Sequence, residues 1–595
     1  MLTINNVHQQ FAAFFKNEKL QPYAFLVSKK LSEGHICIDL NELSDEPDFE
    51  NVSGKNYVKI YTALLSREPL VTTIIGAKQP FVLHNEKLYL QRYFHYETIV
   101  LQRIKQFIFS EQNIASQRMD ELAKNLGFIQ QLFPAAAEKT NDETDWQMVA
   151  AIGAVLNNFT IITGGPGTGK TTTVAKIVAL LFTINPLLKV ALAAPTGKAA
   201  ARMAESLKAT TVVNKAMHQT FQTHVPSTLH RLLKLSPGST QSKYNKENPL
   251  DYDLIIVDES SMIDVSLFAK LLSAVGDHTR LILIGDKDQL ASVEAGSLFG
   301  DLCNAQPELN LFAGERAAFI NGLFSDKKST INDSNTSDHI HHPLFQHIVE
   351  LRHSHRFSGH EGIGRFSKAV ISNNADIIQQ FFKPGFDVQV AIDNTYSDAV
   401  FNKFVSGYSD YILEKDITKA LAKFNNLRVL CAVREGNYGL YAINKKIEML
   451  LQQKGLLSAT GEYYEHRPIM VTKNYYDLQL FNGDIGIIRA DENGTLKVWF
   501  LDSEQNLKSI LPGFVGDSET VFAMTIHKSQ GSEFDNVMVM LPDAADIELL
   551  TRELLYTAVT RAKKQVIIQG TEEIILQTAA RSVKRVSGIR ERFFE

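Results

Sequence analysis

The sequence predicts an α/β protein of two lobes, each carrying a parallel sheet, with a small β-barrel-like insertion in the second lobe and a separate N-terminal domain. Three observations carry that expectation. Short apolar runs rich in Val, Ile and Leu recur along the chain and end at Gly, Asp, Thr or Pro, as strands buried on both faces do when functional loops gather at their carboxyl ends. The runs form two groups, at 159–163, 189–194, 254–258 and 281–285, and then at 428–433, 521–525, 537–541 and 565–570. Helix-compatible stretches such as 171–182 and 264–275 stand between them, the alternation that parallel sheets require.

Within the second group, residues 436–516 differ in character. Asn482-Gly483 and Asn493-Gly494 are hairpin-turn signals, and Leu496, Val498 and Phe500 alternate with Lys497 and Trp499 as in a half-buried strand. The expected division is therefore 1–115 for the N-terminal domain, 116–345 for the first lobe, 346–435 with 517–595 for the second, and 436–516 for the β-rich insertion. The polar stretch 324–342 reads as a mobile loop between lobes. Its His339, His341 and His342 lack a fourth metal ligand and fit a solvated loop better than a metal site.

Composition narrows the function. A chain of 595 residues exceeds one ordinary domain. No apolar run approaches the roughly 20 residues that span a bilayer. The first residues lack the basic-then-apolar layout of a secretory signal, so a cytoplasmic location is expected. Cys37, Cys303 and Cys431 form no CxxC pair and read as core thiols. A net charge of -5 offers no global attraction to a polyanion, so any nucleic-acid contact has to come from a local groove or a basic partner.

The strongest chemical signal follows the first apolar run. Gly164-Gly165-Pro166-Gly167-Thr168-Gly169-Lys170-Thr171, with Thr172 beyond, is a full phosphate loop feeding a helix. Glycines let backbone N–H groups close around phosphate oxygens, the helix presents its positive end, Lys170 is placed to reach the β- and γ-phosphates, and Thr171 to ligate Mg²⁺. ATP and Mg²⁺ are the implied ligands. The run at 254–257 delivers Asp258 and Glu259 to its carboxyl end, one carboxylate suited to hold Mg²⁺ and the other to orient and deprotonate the attacking water. The next run ends in Gly285-Asp286-Lys287-Asp288-Gln289-Leu290, which places the Gln289 amide near the same sheet edge to sense the γ-phosphate.

The order and wording of these motifs resemble the superfamily 1 helicases, and most closely the RecD family, the α subunits of bacterial exodeoxyribonuclease V. The resemblance runs from Trp146 to the C-terminus. It rests on Asp145-Trp146-Gln147, Ala194-Pro195-Thr196-Gly197-Lys198-Ala199-Ala200, Asp258-Glu259-Ser260-Ser261-Met262 and the Gly285 to Leu290 segment. It continues with Ser354-His355-Arg356-Phe357, Asn482-Gly483-Asp484-Ile485-Gly486, the run from Thr525 to Phe534, and Tyr556-Thr557-Ala558-Val559-Thr560-Arg561-Ala562. The N-terminal stretches 34–40 and 87–93 are similar, more weakly, to the leading domain of that family.

The resemblance implies two RecA-like lobes, an SH3-like insertion and 5′ to 3′ travel on DNA within a heterotrimer whose RecB- and RecC-type partners supply a second motor and the nuclease. It implies an N-terminal domain that docks on those partners and a role in double-strand break repair and recombination. It implies that Gln147 reads the adenine, Glu533 accepts from the ribose, Gln289 couples the γ-phosphate to the DNA site, and Arg356 and Arg561 reach the γ-phosphate from the second lobe. Independently of family, a guanidinium presents planar donors to developing phosphate charge. Two segments are candidates for holding the strand: Thr196 and Lys198 on the first lobe, and Thr525, His527, Lys528, Ser529 and Gln530 on the second, since hydroxyls, lysines and backbone N–H groups suit phosphate contacts. The resemblance adds His230, which reads equally as a helix start.

Three other readings compete. A stand-alone helicase of the same superfamily is nearest. A phosphate-loop assembly ATPase is disfavoured by the paired lobes and the 525–534 segment. A nuclease centre in this chain is not expected, because beyond Asp258 and Glu259 no second metal constellation stands out.

Overall fold

The computed structural model describes residues 6–45, 57–134, 144–209, 226–235, 242–306, 308–337, 342–357, 359, 361–475, 477–502, 506–544 and 547–595. Two parallel sheets dominate it. In the first, the strand order is Ile348–Leu351, Phe159–Gly164, Arg280–Gly285, Leu254–Val257, Val190–Ala194 and Ser227–Thr228, every neighbour parallel. The four strands foreseen from sequence are buried nearly throughout, because helices cover both faces. Helix Trp146–Leu156 starts at Asp145, whose carboxylate accepts from Gln147 and Met148 N–H, and helix Val265–Ala274 starts at Asp264 in the same way.

The second sheet runs Val390–Asp393, Ala562–Gln569, Phe534–Met540, Leu427–Cys431 and Ala523–Thr525, again all parallel. Val390–Asp393 has no counterpart in the sequence reading, because it is short and only its first residue is buried. Ile348–Leu351, which the expected division gave to the second lobe, pairs with Phe159–Gly164 in the first sheet.

The segment 436–516 is mixed. Its opening part forms helix Leu440–Gln453, whose Leu440, Ile443, Ile447 and Leu451 are buried in the second lobe's core. The β-character starts only at Pro468–Val471, and a five-stranded antiparallel sheet follows in the order Leu507–Ile510, Leu496–Leu501, Ile485–Ala490, Pro468–Val471 and Ser518–Thr520. Ile469, Val471, Ile488, Val498 and Phe500 give it a core of its own. The alternation at 496–500 is therefore real strand, whereas the amphipathic helix before it was hidden by the turn signals further on.

The N-terminal part carries a four-stranded sheet, Cys37–Asp39, Lys87–Leu90, Phe81–His84 and Val71–Thr72, over a core that includes Leu20, Ala24, Leu40, Phe81 and Leu88. It is also welded to the first lobe. Helix Gln91–Glu111 lies on helix Val265–Ala274, and Arg103 from it donates to the carbonyls of Leu272 and Val275 and pairs with Asp277 at 2.7 Å. The C-terminal residues return here too: Arg592 meets the fully buried Glu97 at 2.6 Å, and Ile36 N–H donates to Val586 O.

The described part of 324–342 is not a free loop. Ile331 is buried and exchanges two hydrogen bonds with Asn321, while Ser329 O accepts from Asp145 N–H. His339 and His341 lie outside the described residues. His342 is a core histidine, edge-on to Phe593 and Phe594, and burial pushes its imidazole down to about 4. Among the described residues no group of three or more His, Cys, Asp or Glu is placed to hold a metal ion, and no helix is long and apolar enough to cross a membrane. Cys37, Cys303 and Cys431 are free and buried, and burial raises all three thiols.

Candidate active site

The phosphate loop joins strand Phe159–Gly164 to helix Lys170–Ile184. Gly167 and Gly169 have φ of +78° and +82°, and both are hemmed in: a Cβ on Gly167 would stand 2.3 Å from Arg356 Cβ, and one on Gly169 would stand 2.2 Å from Gln147 Nε2. Only glycine fits either position. Lys170 Nζ donates to Gly164 O at 2.6 Å and Gly165 O at 3.1 Å, and Thr168 Oγ1 donates to Gly165 O. Gln147 Nε2 donates to Thr168 O at 3.1 Å, so the amide lies against the loop it is expected to serve.

Asp258 and Glu259 leave strand Leu254–Val257 in a tight turn. Asp258 accepts from Glu259 N–H at 2.8 Å, and burial together with the Glu259 carboxylate raises its carboxyl to about 6 against the pull of Lys170 and Arg202. Glu259 adopts a left-handed φ of +51°, a backbone conformation costly for a residue with a side chain.

One cavity of about 570 Å³ gathers these groups with the other lobe, a size suited to a nucleotide. The phosphate loop, Asp258, Glu259 and Gln289 line it from the first lobe, and Glu533 and Arg561 from the second. Arg356 arrives differently from expectation. It leaves the first sheet just after Leu351, and its neighbours are fastened to the phosphate loop, Ser354 Oγ on Pro166 O and His355 N–H on Gly167 O. Phe357, next in sequence, is buried in the second lobe's core, so Arg356 sits at the hinge between lobes.

Arg561 is buried and donates to Thr557 O and Ser532 O. Glu533 forms ion pairs at 2.9 Å with both Arg356 and Arg202. Arg202, Met203, Ser206 and His355 also line the cavity and were missed from sequence. Arg202 had a signal: it lies four residues after Lys198 on helix Gly197–Ala209, on the same face.

The cavity fits a polyphosphate with a divalent ion. Arg356 Nη1 is buried without a hydrogen-bond partner, Lys170, Arg202, Arg356 and Arg561 face Asp258, Glu259 and Glu533, and the crowded Asp258–Glu259 pair is the kind of acidic site a cation relieves. Thr171 lines the same cavity as Asp258.

The expected strand-binding residues separate into two sets. Lys198 and Lys528 come together beneath the insertion, with Thr196 two residues before Lys198: a Cβ on Gly197 would meet Phe481 at 3.4 Å, Lys198 faces Asp484, and Lys528 Nζ donates to Asn482 Oδ1 at 2.9 Å. The Thr196 hydroxyl accepts from Ala199 N–H, whereas Thr525, expected on the same face, is buried at the end of strand Ala523–Thr525 with its hydroxyl accepting from Lys528 N–H. His527 is partly buried, and burial lowers its imidazole, with Arg585 adding to the effect. Ser529 and Gln530 do not join this face. Ser529 is fully buried with its hydroxyl on Ile526 O, and Gln530 is buried with its amide on Leu290 O of the other lobe, because the short helical turn His527–Ser529 rotates both inward. His230 is exposed on helix Leu229–Leu232, with Asp264 and Lys270 as its charged neighbours.

Comparison with known proteins agrees along the chain. Residues 3–89 match the N-terminal domain of RecBCD enzyme subunit RecD, 147–295 an AAA domain, and 520–569 a UvrD-like helicase C-terminal domain. RecBCD enzyme subunit RecD of Haemophilus influenzae is 36% identical over 543 residues, covering 86% of this chain and 80% of that one. RecBCD enzyme subunit RecD of Mycolicibacterium smegmatis is 33% identical over 580 residues, covering 95% and 92%. The ATP-dependent RecD2 DNA helicase of Deinococcus radiodurans is 29% identical over 427 residues, covering 71% of this chain and 48% of that one. With identity above 30% spanning most of both chains, this protein belongs to the RecD family, the RecD subunits of the RecBCD enzyme.

Proposed function

We propose that the chain hydrolyses ATP between its lobes and uses the cycle to travel along single-stranded DNA and unwind duplex, 5′ to 3′, as a subunit of a RecBCD-type helicase–nuclease in break repair and recombination. The observation that carries this is the single cavity in which the phosphate loop, Asp258 and Glu259 of one sheet meet Glu533 and Arg561 of the other. A nucleotide gripped by both sides makes hydrolysis and lobe closure one event.

In this reading Gly164 to Gly169 wrap the phosphates with backbone N–H groups, Lys170 and Thr172 add to that grip, and Gln147 holds the base. Glu259 orients and deprotonates the attacking water, Gln289 senses the γ-phosphate, and Arg356 and Arg561 stabilise the charge that develops on it. Mg²⁺ held by Thr171 and Asp258 would neutralise phosphate charge. Glu533 acts through its arginines before it meets a ribose, since its carboxylate is already shared by Arg202 and Arg356. Thr196, Lys198 and Lys528 hold DNA phosphates, with His527 beside them and the buried Thr525 supporting Lys528 through its backbone N–H.

The N-terminal part, residues 1–115, docks on RecB- and RecC-type partners, a role supported by the match of residues 3–89. Strand displacement from duplexes with a single 5′ or 3′ tail tests the reading: ATP-dependent displacement on the 5′-tailed substrate is expected, and displacement restricted to the 3′ tail overturns the direction.

A further inference from the structure

Five buried residues tie the Gln289 loop to the second lobe. Asp286 Oδ2 accepts from two donors at once, Gln289 Nε2 at 2.9 Å and the Tyr556 hydroxyl at 3.1 Å. Next along the loop, Leu290 N–H donates to Thr557 Oγ1 at 2.9 Å, and Leu290 O accepts from Gln530 Nε2 at 2.7 Å. Asp286, Gln289, Tyr556, Thr557 and Gln530 are all under 9% exposed. Water has little access to replace any of these bonds, so each constrains where the loop can sit. Tyr556 also overlooks the nucleotide: a Cβ on Gly165 would stand 3.0 Å from its hydroxyl.

Gln530 and Tyr556 come from different places. Gln530 ends the turn that carries Lys528 to the strand-binding face, and Tyr556 lies on helix Arg552–Val559, just before Arg561. A shift of the Thr525 to Gln530 segment pulls on the residue adjoining Gln289, and a shift of helix Arg552–Val559 pulls on the carboxylate that holds the Gln289 amide.

Resting on the motor reading above, we propose that Gln530 and Tyr556 are positioning residues that transmit strand binding and lobe closure to Gln289, and that Gln530 does this without touching DNA. Gln289 reaches its place against the γ-phosphate when both bonds are made. Losing either bond leaves the binding sites intact and breaks the link between them.

The test uses the full-length chain, its Gln530→Ala and Tyr556→Phe variants, and the double variant. An oligothymidylate serves as the probe. Affinity for the probe is read by fluorescence anisotropy, and ATP turnover is followed with and without it. Tyr556→Phe removes a hydroxyl and nothing else, so it remains informative if Gln530→Ala folds poorly. Expected are probe affinity within about twofold of wild type, an unchanged KM for ATP, and a fall of about tenfold in stimulation by the probe, the double variant being no worse than the worse single one. Wild-type stimulation in both single variants overturns the proposal. So does a loss of probe affinity in Gln530→Ala that matches its loss of stimulation, since that marks a direct DNA contact. Absence of stimulation in the wild type itself strikes the motor reading instead.

Discussion

Arg202 and Glu533 stand 2.9 Å apart across the cleft, one on helix Gly197–Ala209 of the first lobe and the other just before strand Phe534–Met540 of the second. Arg356 shares the same carboxylate oxygen at 2.9 Å. Burial works to raise the Glu533 carboxyl, yet Arg202, Arg356 and Arg561 outweigh it and hold the group at about 2.

A folded-state value below the ordinary 4.5 means that Glu533 contributes stability that is complete above about pH 4.5 and is lost as pH falls toward 2. Glu533→Gln is therefore expected to be less stable than wild type at pH 7 by about 1–2 kcal/mol, after discounting for the partly exposed Arg202. Thermal unfolding at pH 7 and pH 3.5 checks it, and the gap should narrow at the lower pH.

Arg561→Ala is expected to lower kcat for ATP by about 10³ while KM changes only a few-fold, the pattern of a group needed in the transition state. Because Arg561 is buried on the carbonyls of Thr557 and Ser532, the variant should also lose about 1–3 kcal/mol of stability. Steady-state kinetics beside thermal melts separates the two effects. An equal loss in KM would contradict the role.

Burial, with Arg428 and Arg202 nearby and Asp484 opposing them, pushes the Lys198 ammonium down to about 7. A phosphate contact favours its charged form, so affinity for single-stranded DNA should weaken as pH rises from 6 to 8, by about threefold to tenfold. Lys198→Arg, charged throughout, should flatten that slope. Anisotropy titrations at matched ionic strength check it.

The Glu97–Arg592 pair is buried on both sides, at 0% and 4% side-chain exposure. Arg592→Ala leaves the buried Glu97 carboxylate without its counter-charge and is expected to cost about 3–5 kcal/mol locally, loosening the C-terminal residues from helix Gln91–Glu111. Limited proteolysis is expected to cut the variant after helix Glu572–Ala580 faster than it cuts the wild type.

These contacts also mark where sequence reading stops. The phosphate loop, Asp258, Glu259 and the inner strands were legible, because a strand buried on both faces must be apolar throughout and its functional residues follow it directly in sequence. Glu533 bonding to Arg202, Tyr556 to Asp286, and Arg592 to Glu97 join positions hundreds of residues apart, and nothing local encodes those meetings. Ser529 and Gln530 were assigned to the DNA because polar residues beside a lysine suggest a phosphate contact. The turn at His527–Ser529, too short to show a period, points them inward. Arg428 is the extreme case: a charged residue mid-strand, fully buried between the rings of Phe424 and Phe534 and bonded to Val521 O.

If the cleft powers movement along DNA, nucleotide turnover in it is coupled to DNA. ATP hydrolysis by the full-length chain, with and without single-stranded DNA and with Lys170→Gln as the blank, tests it most directly. Turnover that rises strongly with DNA and vanishes in a folded Lys170→Gln variant is the expected result. Turnover that ignores DNA, or that survives in Lys170→Gln, would rule out a DNA-coupled motor at this site.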